Sequence, residues 1–250
     1  MMPFDYGLPD YALAAAMFVG AALYSSVGHA GASAYLALMA LFGVPQAVMR
    51  PTALVLNVLV ASFTALRYRH AGLFRWRTLW PFLAGALPFA FLGGSITLPG
   101  DFYRPLVGMV LLLAAARLLW PKAIAPREEV RDPPIALGIV IGAGIGLLSG
   151  LTGTGGGIFL SPVLLFLGWS HPKTASGVAA AFILCNSAAG LAGNFASVQS
   201  LPPQLPLFAL SVLAGAVVGT SAGIRFSSPA ILKALGVVLV VAGLKLLGAF

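Results

Sequence analysis

Long apolar runs alternate with short polar or glycine- and proline-rich joints along the whole chain. Eight hydrophobic units result, at about residues 11–43, 46–66, 78–97, 103–120, 134–168, 172–195, 205–224 and 229–249. A transmembrane barrel would show roughly ten-residue segments of alternating polarity. Runs such as Val107–Ala116 and Leu235–Leu244 are instead apolar throughout, which predicts helices. The first and fifth units exceed 30 residues, whereas a bilayer core needs about 20. Each is interrupted by glycine, at Gly28-His29-Ala30-Gly31 and at Gly153-Thr154-Gly155-Gly156-Gly157. Three adjacent glycines cost a helix roughly 3 kcal/mol against alanine. Each long unit is therefore expected to be two half-helices joined by a non-helical break.

Between the fourth and fifth units, residues 121–134 hold four prolines and six charges. This is the one clear polar linker. It divides the chain into a first membrane repeat, 1–120, and a second, 135–250. The halves align at an offset near 125, which pairs Gly28–Ala32 with Gly153–Gly157 and Gly43 with Gly168. The offset drifts to 126 at Gly93 and Gly219, and to 128 at Gly108 and Gly236 and at Arg117 and Lys245. Each half reads as one broken unit followed by three whole helices. Internal repeats of this kind occur in secondary transporters, whose binding sites lie where broken segments meet.

Composition settles the solvent. Hydrophobic residues make up 60% of the 250 and charged residues 8%, against about 25% charged in a soluble domain. So few charges cannot cover a water-facing surface, and the lipid bilayer is the expected environment, with every backbone polar group satisfied internally. The net charge of +8 would suggest nucleic acid in a soluble protein. Here the cations sit between apolar runs and set topology, so no nucleic-acid partner is expected. Arg67, Arg69, Arg75 and Arg77 crowd one loop, which with linker 121–134 should be cytoplasmic, as in a bacterial inner-membrane protein.

Two topologies compete. Broken units that cross once give parallel halves, with Lys173 and Arg225 outside. Units that enter and return give inverted halves, with both residues inside. The inverted arrangement places more basic residues inside and is preferred. No cleavable signal peptide is apparent, because the first arginine or lysine is Arg50 and the start carries Asp5 and Asp10. The single cysteine, Cys185, excludes an internal disulfide and reads as a small buried hydrophobe.

The glycine run Gly153–Gly157, with Thr152 and Thr154, is the strongest chemical signal. Glycine lets backbone N–H groups approach a ligand. A break also exposes the N–H groups of the next half-helix, which together with its dipole favour an anion. The first half offers Ser25, Ser26, Gly28, His29, Gly31 and Ser33 in the matching region. A small polar pocket lined by both breaks is expected. Close packing through small residues is the competing reading.

Arg50-Pro51-Thr52 opens the second unit, with Pro51 suited to a first helical position. Arg50 either attracts an anion near one membrane face or snorkels to the interface. Asn57 and Asn186 lie inside apolar helices, where an amide finds a partner across helices; each either lines the site or fixes packing. His29 either takes part in proton chemistry or serves as a hydrogen-bonded structural residue. All six acidic residues fall in termini or loops, so no intramembrane carboxylate is available for a proton or sodium relay.

The glycine run is neither a P-loop, since Ile158 follows where Lys should, nor a dinucleotide fingerprint. No cofactor or metal is expected. An intramembrane enzyme using Ser26 or Ser33 with His29 is the weakest reading, because no Gly-x-Ser-x-Gly elbow surrounds either serine.

At these residues the chain resembles the TauE/SafE family of sulfite and organosulfonate exporters. The resemblance rests on Gly150-Leu151-Thr152-Gly153-Thr154-Gly155-Gly156-Gly157 with Pro162, on Ser176-Gly177-Val178 and Asn186-Ser187, and on Arg50–Val58 in the first half. It covers nearly the whole chain. It implies carriage of a sulfur-containing anion such as sulfite, an organosulfonate or thiosulfate. The first break departs from the pattern, with His29, Ala30 and Ala32 where the second has Thr154, Gly155 and Gly157, so the resemblance says less about ligand contacts there. A passive anion channel is the alternative to a carrier, and a homo-oligomer is left open.

Overall fold

The computed structural model describes residues 7–119, 130–195, 201–225 and 229–249. Most of the polar linker and part of the 196–204 loop lie outside them. Ten helices follow one another: α1 Leu8–Ser25, α2 Ala32–Leu41, α3 Gln46–His70, α4 Trp76–Ser95, α5 Gly100–Leu119, α6 Ile135–Thr152, α7 Gly157–Phe166, α8 Pro172–Gly193, α9 Leu205–Arg225 and α10 Pro229–Leu246. Among the described residues, six are long and apolar enough to cross a bilayer: α1, α3, α4, α6, α8 and the 205–222 part of α9. The protein is a polytopic all-α membrane protein.

Both long hydrophobic units are broken. Gly28 and Gly31 adopt φ of 78° and 103°, and Gly153, Gly155 and Gly156 adopt φ of 85°, 78° and 78°. These are left-handed conformations that only glycine adopts without strain. The half-helices α2 and α7 then end alike. The Val44 N–H donates to Met39 O and the Trp169 N–H to Leu164 O, around Gly43 and Gly168 at φ 75° and 69°, the Schellman arrangement.

Three boundaries differ from the sequence reading. Pro45 takes the N-cap of α3, so Pro51 lies in the helix interior rather than at its first position. The same helix continues to His70, carrying Arg67 and Arg69 into its last turn, where cations complement the exposed carbonyls. Helix α5 begins at Gly100 and takes Asp101 into its first turn, where a carboxylate suits the free N–H groups. That acid is therefore helical and not in a loop.

The main packing partners join one half of the chain to the other: α4 with α6, α1 with α9, α5 with α10, α4 with α8 and α3 with α8; the α4–α8 pair has a weaker counterpart in α3–α9. Exchanging the halves turns the α4–α6 pair into α9–α1 and leaves α3–α8 and α5–α10 unchanged. Gly138, Gly142, Gly146 and Gly150 repeat every fourth residue on α6, and a Cβ on any of them would strike Pro81, Phe82, Ala86 or Ala90 of α4. Gly215 and Gly219 of α9 meet Phe18 and Ala22 of α1 in the same way. Such small-residue faces let helix backbones touch where no hydrophobic driving force acts between helices.

Several contacts group the helix ends. The Arg131 N–H donates to Gly168 O at 3.1 Å, so the α6–α7 unit returns to the end from which it leaves. Asp132 pairs with Arg75 at 3.1 Å, and the start of α8 lies against Leu73 through Gly177. Residues 130–134, the α3–α4 turn and Lys173 in the first turn of α8 thus share one end of the molecule, here the basic end. Gln46 lies at the other end of α3, about 37 Å away along 25 residues.

Candidate functional site

The two breaks meet in the interior. His29, in the first break, reaches α7: its Nε2 lies 3.1 Å from Gly157 O and 3.2 Å from Ser161 Oγ, and its Nδ1 lies 3.0 Å from Val27 O. Asn57 of α3 sits between the breaks. Its Oδ1 accepts from the Ala32 N–H at 3.1 Å, and its Nδ2 donates to Ser187 Oγ at 3.2 Å. A Cβ on Gly155 would collide with that same Asn57 amide. Asn186 of α8 donates to Gly155 O at 3.2 Å. The two asparagines, on the packed pair α3 and α8, therefore hold one break each.

The second break is backbone alone at its centre. Residues 152–158 are all buried. The N–H groups of Phe159 and Leu160 both turn back to Gly156 O. Those of Gly155, Gly156, Gly157 and Ile158 find no acceptor among the described residues. Gly157 and Ile158 open α7 with buried N–H groups, and a helix start with its dipole suits an anion.

The threonines do not add to these donors. The Thr152 hydroxyl donates to Leu148 O at 2.8 Å, and Thr154 Oγ1 lies 3.0 Å from Thr152 Oγ1. With the Thr152 proton committed, Thr154 must be the donor, so both hydroxyl hydrogens are used.

The first break is filled by side chains. Ser33 donates to Tyr24 Oη at 2.7 Å and Ser26 to Leu23 O at 2.7 Å. The Tyr35 hydroxyl bonds Ala30 O, and Tyr68 reaches Ser26 O at 3.1 Å. Ser25 is buried with no partner for its hydroxyl, as is Thr52. Gly28 abuts Ser176 and Gly31 abuts Tyr35. Neither Ser26 nor Ser33 pairs with His29. The serine that does is Ser161, one turn into α7, and no sequence spacing announces it. Ser187 and Tyr24 are likewise additions from the fold.

Arg50 does not snorkel. It is 7% exposed and donates to Ile96 O at 2.8 Å and to the carbonyls of Gly93 and Gly94, closing the C-terminal turn of α4. Gly153 packs on its stem, so Arg50 adjoins the second break from the end opposite the basic one.

The family model for the sulfite exporter TauE/SafE matches residues 12–246. The chain belongs to the TauE/SafE family. A relative from Sinorhizobium fredii (strain NBRC 101917 / NGR234), described as "Probable membrane transporter protein y4hK", is 40% identical over 239 residues, covering 94% of this chain and 97% of its own. No solved structure matches. With its apolar helices, this makes the chain a TauE/SafE membrane transporter. Both descriptions are those of transporters rather than enzymes.

Proposed function

We propose that this TauE/SafE protein carries a small sulfur-containing oxyanion, sulfite, thiosulfate or an organosulfonate, by alternating access. One observation carries the reading: four N–H groups, from Gly155 to Ile158, are buried without acceptors at a helix start, opposite a second break. A buried donor left unmade costs about 1–3 kcal/mol. Four together are best explained by a solute that accepts them. An anion also gains from the α7 dipole.

The two breaks belong to inverted repeats, 1–120 and 135–250, joined by linker 121–134. The return of α6–α7 to its starting end supports this reading, as does the packing scheme that survives exchange of the halves. The basic end faces the cytoplasm by its arginine content, and the protein resides in the bacterial inner membrane. Rocking of one repeat on the other, about the α3–α8 contact, exposes the breaks alternately. Export down an inside-negative potential gains about 2.3 kcal/mol per charge per 100 mV.

The test is flux into proteoliposomes over a panel of sulfite, sulfate, thiosulfate and organosulfonates. The reading expects saturable uptake of at least one sulfur oxyanion, with counterflow when the lumen is preloaded. Single-channel currents would replace the carrier by a channel. No flux of any member would overturn the assignment of cargo.

A further inference from the structure

We infer that the chain has a second anion site, a vestibule at the end opposite the basic one, formed by Arg50 and Gln46 and adjoining the second break. A buried guanidinium needs compensation. Arg50 receives part of it from the three carbonyls at the end of α4, which together carry about half an elementary charge. No carboxylate pairs with it among the described residues. Its Nε is buried and has no hydrogen-bond partner. A substantial positive charge is therefore left over in a setting where charge acts strongly.

Beside this charge lies a cavity of about 260 Å³, lined by Gln46, Arg50, Thr97 and Tyr103 among others. It has room for a small oxyanion and accompanying water. A second cavity, of about 160 Å³, shares Gln46 and is lined by Arg104 and Lys245. The Lys245 ammonium donates to Leu41 O at 3.0 Å, which holds it at this end. Gln46 thus lines both cavities, with Arg50 on the wall of one and Arg104 and Lys245 on the wall of the other. The acid of this region, Asp101 in the first turn of α5, forms no ion pair among the described residues.

The vestibule also connects inward. The Tyr103 hydroxyl donates to Thr152 O at 3.2 Å, and Gly153 rests on Arg50. Two residues of the cavity wall, Arg50 and Tyr103, are therefore in direct contact with the backbone that leads into the second break. An oxyanion leaving or approaching that break on this side pauses beside Arg50. This inference rests on the reading of the chain as an anion carrier and adds a site to it.

The test places charge in the vestibule without disturbing the Arg50 bonds. Full-length Gln46→Glu and Gln46→Lys are reconstituted in oriented proteoliposomes, and sulfite flux is measured from each face. The vestibule predicts that Glu raises KM for sulfite presented at this end about five- to tenfold and that Lys lowers it about two- to threefold. Both effects shrink as salt rises, and both are weaker from the basic end. Equal KM in the two variants, or shifts of the same sign, would overturn it, because an Arg50 that only closes α4 is indifferent to the sign. If the wild type carries no oxyanion, the transport reading fails by itself. Sulfite titration of the detergent-purified proteins then decides the vestibule, which still requires Kd shifts of opposite sign.

Discussion

The two helix breaks have the same outline and opposite contents. The first, residues 27–31, is stoppered by its own neighbours. His29, Tyr24, Tyr35 and Tyr68 fill it and Asn57 takes the Ala32 N–H, while the N–H groups of Ala30, Gly31, Ser33 and Ala34 find no backbone acceptor among the described residues. The second, residues 153–156, holds three glycines and Thr154, whose hydroxyl is committed to Thr152; its glycines pack under Asn57, Ile183, Ile145 and Phe182, and its N–H groups from Thr154 to Gly156 find no backbone acceptor among the described residues. The lesson is a division of labour. Under the proposed function, the first break supplies the wall and the second supplies the backbone donors that a solute accepts. The wall is held to the surface by His29 on Gly157 O and by Asn57 beside Gly155.

The comparison is broken most severely at Gly155. Its φ of 78° and its contact with Asn57, Ile183 and Ser187 leave no space for a side chain. Gly155→Leu should lower flux by about 100-fold or more, since a left-handed non-glycine residue costs roughly 1–2 kcal/mol before any collision is counted. Surface labelling and size-exclusion profiles report whether the variant still reaches the membrane folded. Near-normal flux would remove the second break from the mechanism.

Gly31→Ala is the matched experiment in the first break. Here φ is 103° and the new Cβ meets Tyr35. The division of labour predicts a lower Tm, from a strain of about 1–2 kcal/mol, while KM of the surviving protein stays within about twofold. A large KM change would make the first break a ligand surface after all.

Asn57→Leu tests the joint between the breaks. It removes the acceptor of the Ala32 N–H and the partner of Ser187 Oγ, and a buried donor left unmade costs about 1–3 kcal/mol. Thermal unfolding in detergent should show the loss. Asn57→Asp, which keeps the acceptor but adds negative charge beside the second break, should leave more of the Tm and less of the anion affinity.

Thr154→Val is expected to do least. The hydroxyl hydrogen goes to Thr152 Oγ1, which is itself committed to Leu148 O. Flux should stay within about twofold of wild type, measured at saturating and subsaturating substrate. A larger loss would show that Thr154 reorients toward the solute.

Much of the fold was legible because hydrophobic length and glycine clusters are local signals. The breaks at Gly28–Gly31 and Gly153–Gly157 are written in residues that cannot continue a helix cheaply, and the structure breaks there. Helix ends were less legible where charge is compatible with a terminal turn, as at Arg67, Arg69 and Asp101. The asparagines read as polar groups in need of partners, but which partner was a question of packing between α3 and α8. The His29–Ser161 contact spans 132 residues and leaves no trace in spacing. From sequence, Arg50 reads either as an anion-attracting cation or as a snorkelling one, and nothing in the spacing shows that the end of α4 folds over it. The four-residue glycine spacing on α6 turned out to be packing against α4, while the adjacent run of glycines forms the left-handed break. The difference is that a Cβ on Gly146 would meet the backbone of α4 at Ala86, whereas one on Gly155, Gly156 or Gly157 would meet side chains of α3, α6 and α8, Asn57, Ile145 and Ile183.

The most direct measurement is a map of the purified protein by electron cryomicroscopy with saturating sulfite or thiosulfate. The account predicts density for the anion within hydrogen-bond distance of the backbone nitrogens of Gly155, Gly156, Gly157 and Ile158, enclosed on the far side by His29 and Asn57. Anion density lying elsewhere in the transporter, with those four nitrogens bonded to water or to protein, would contradict it.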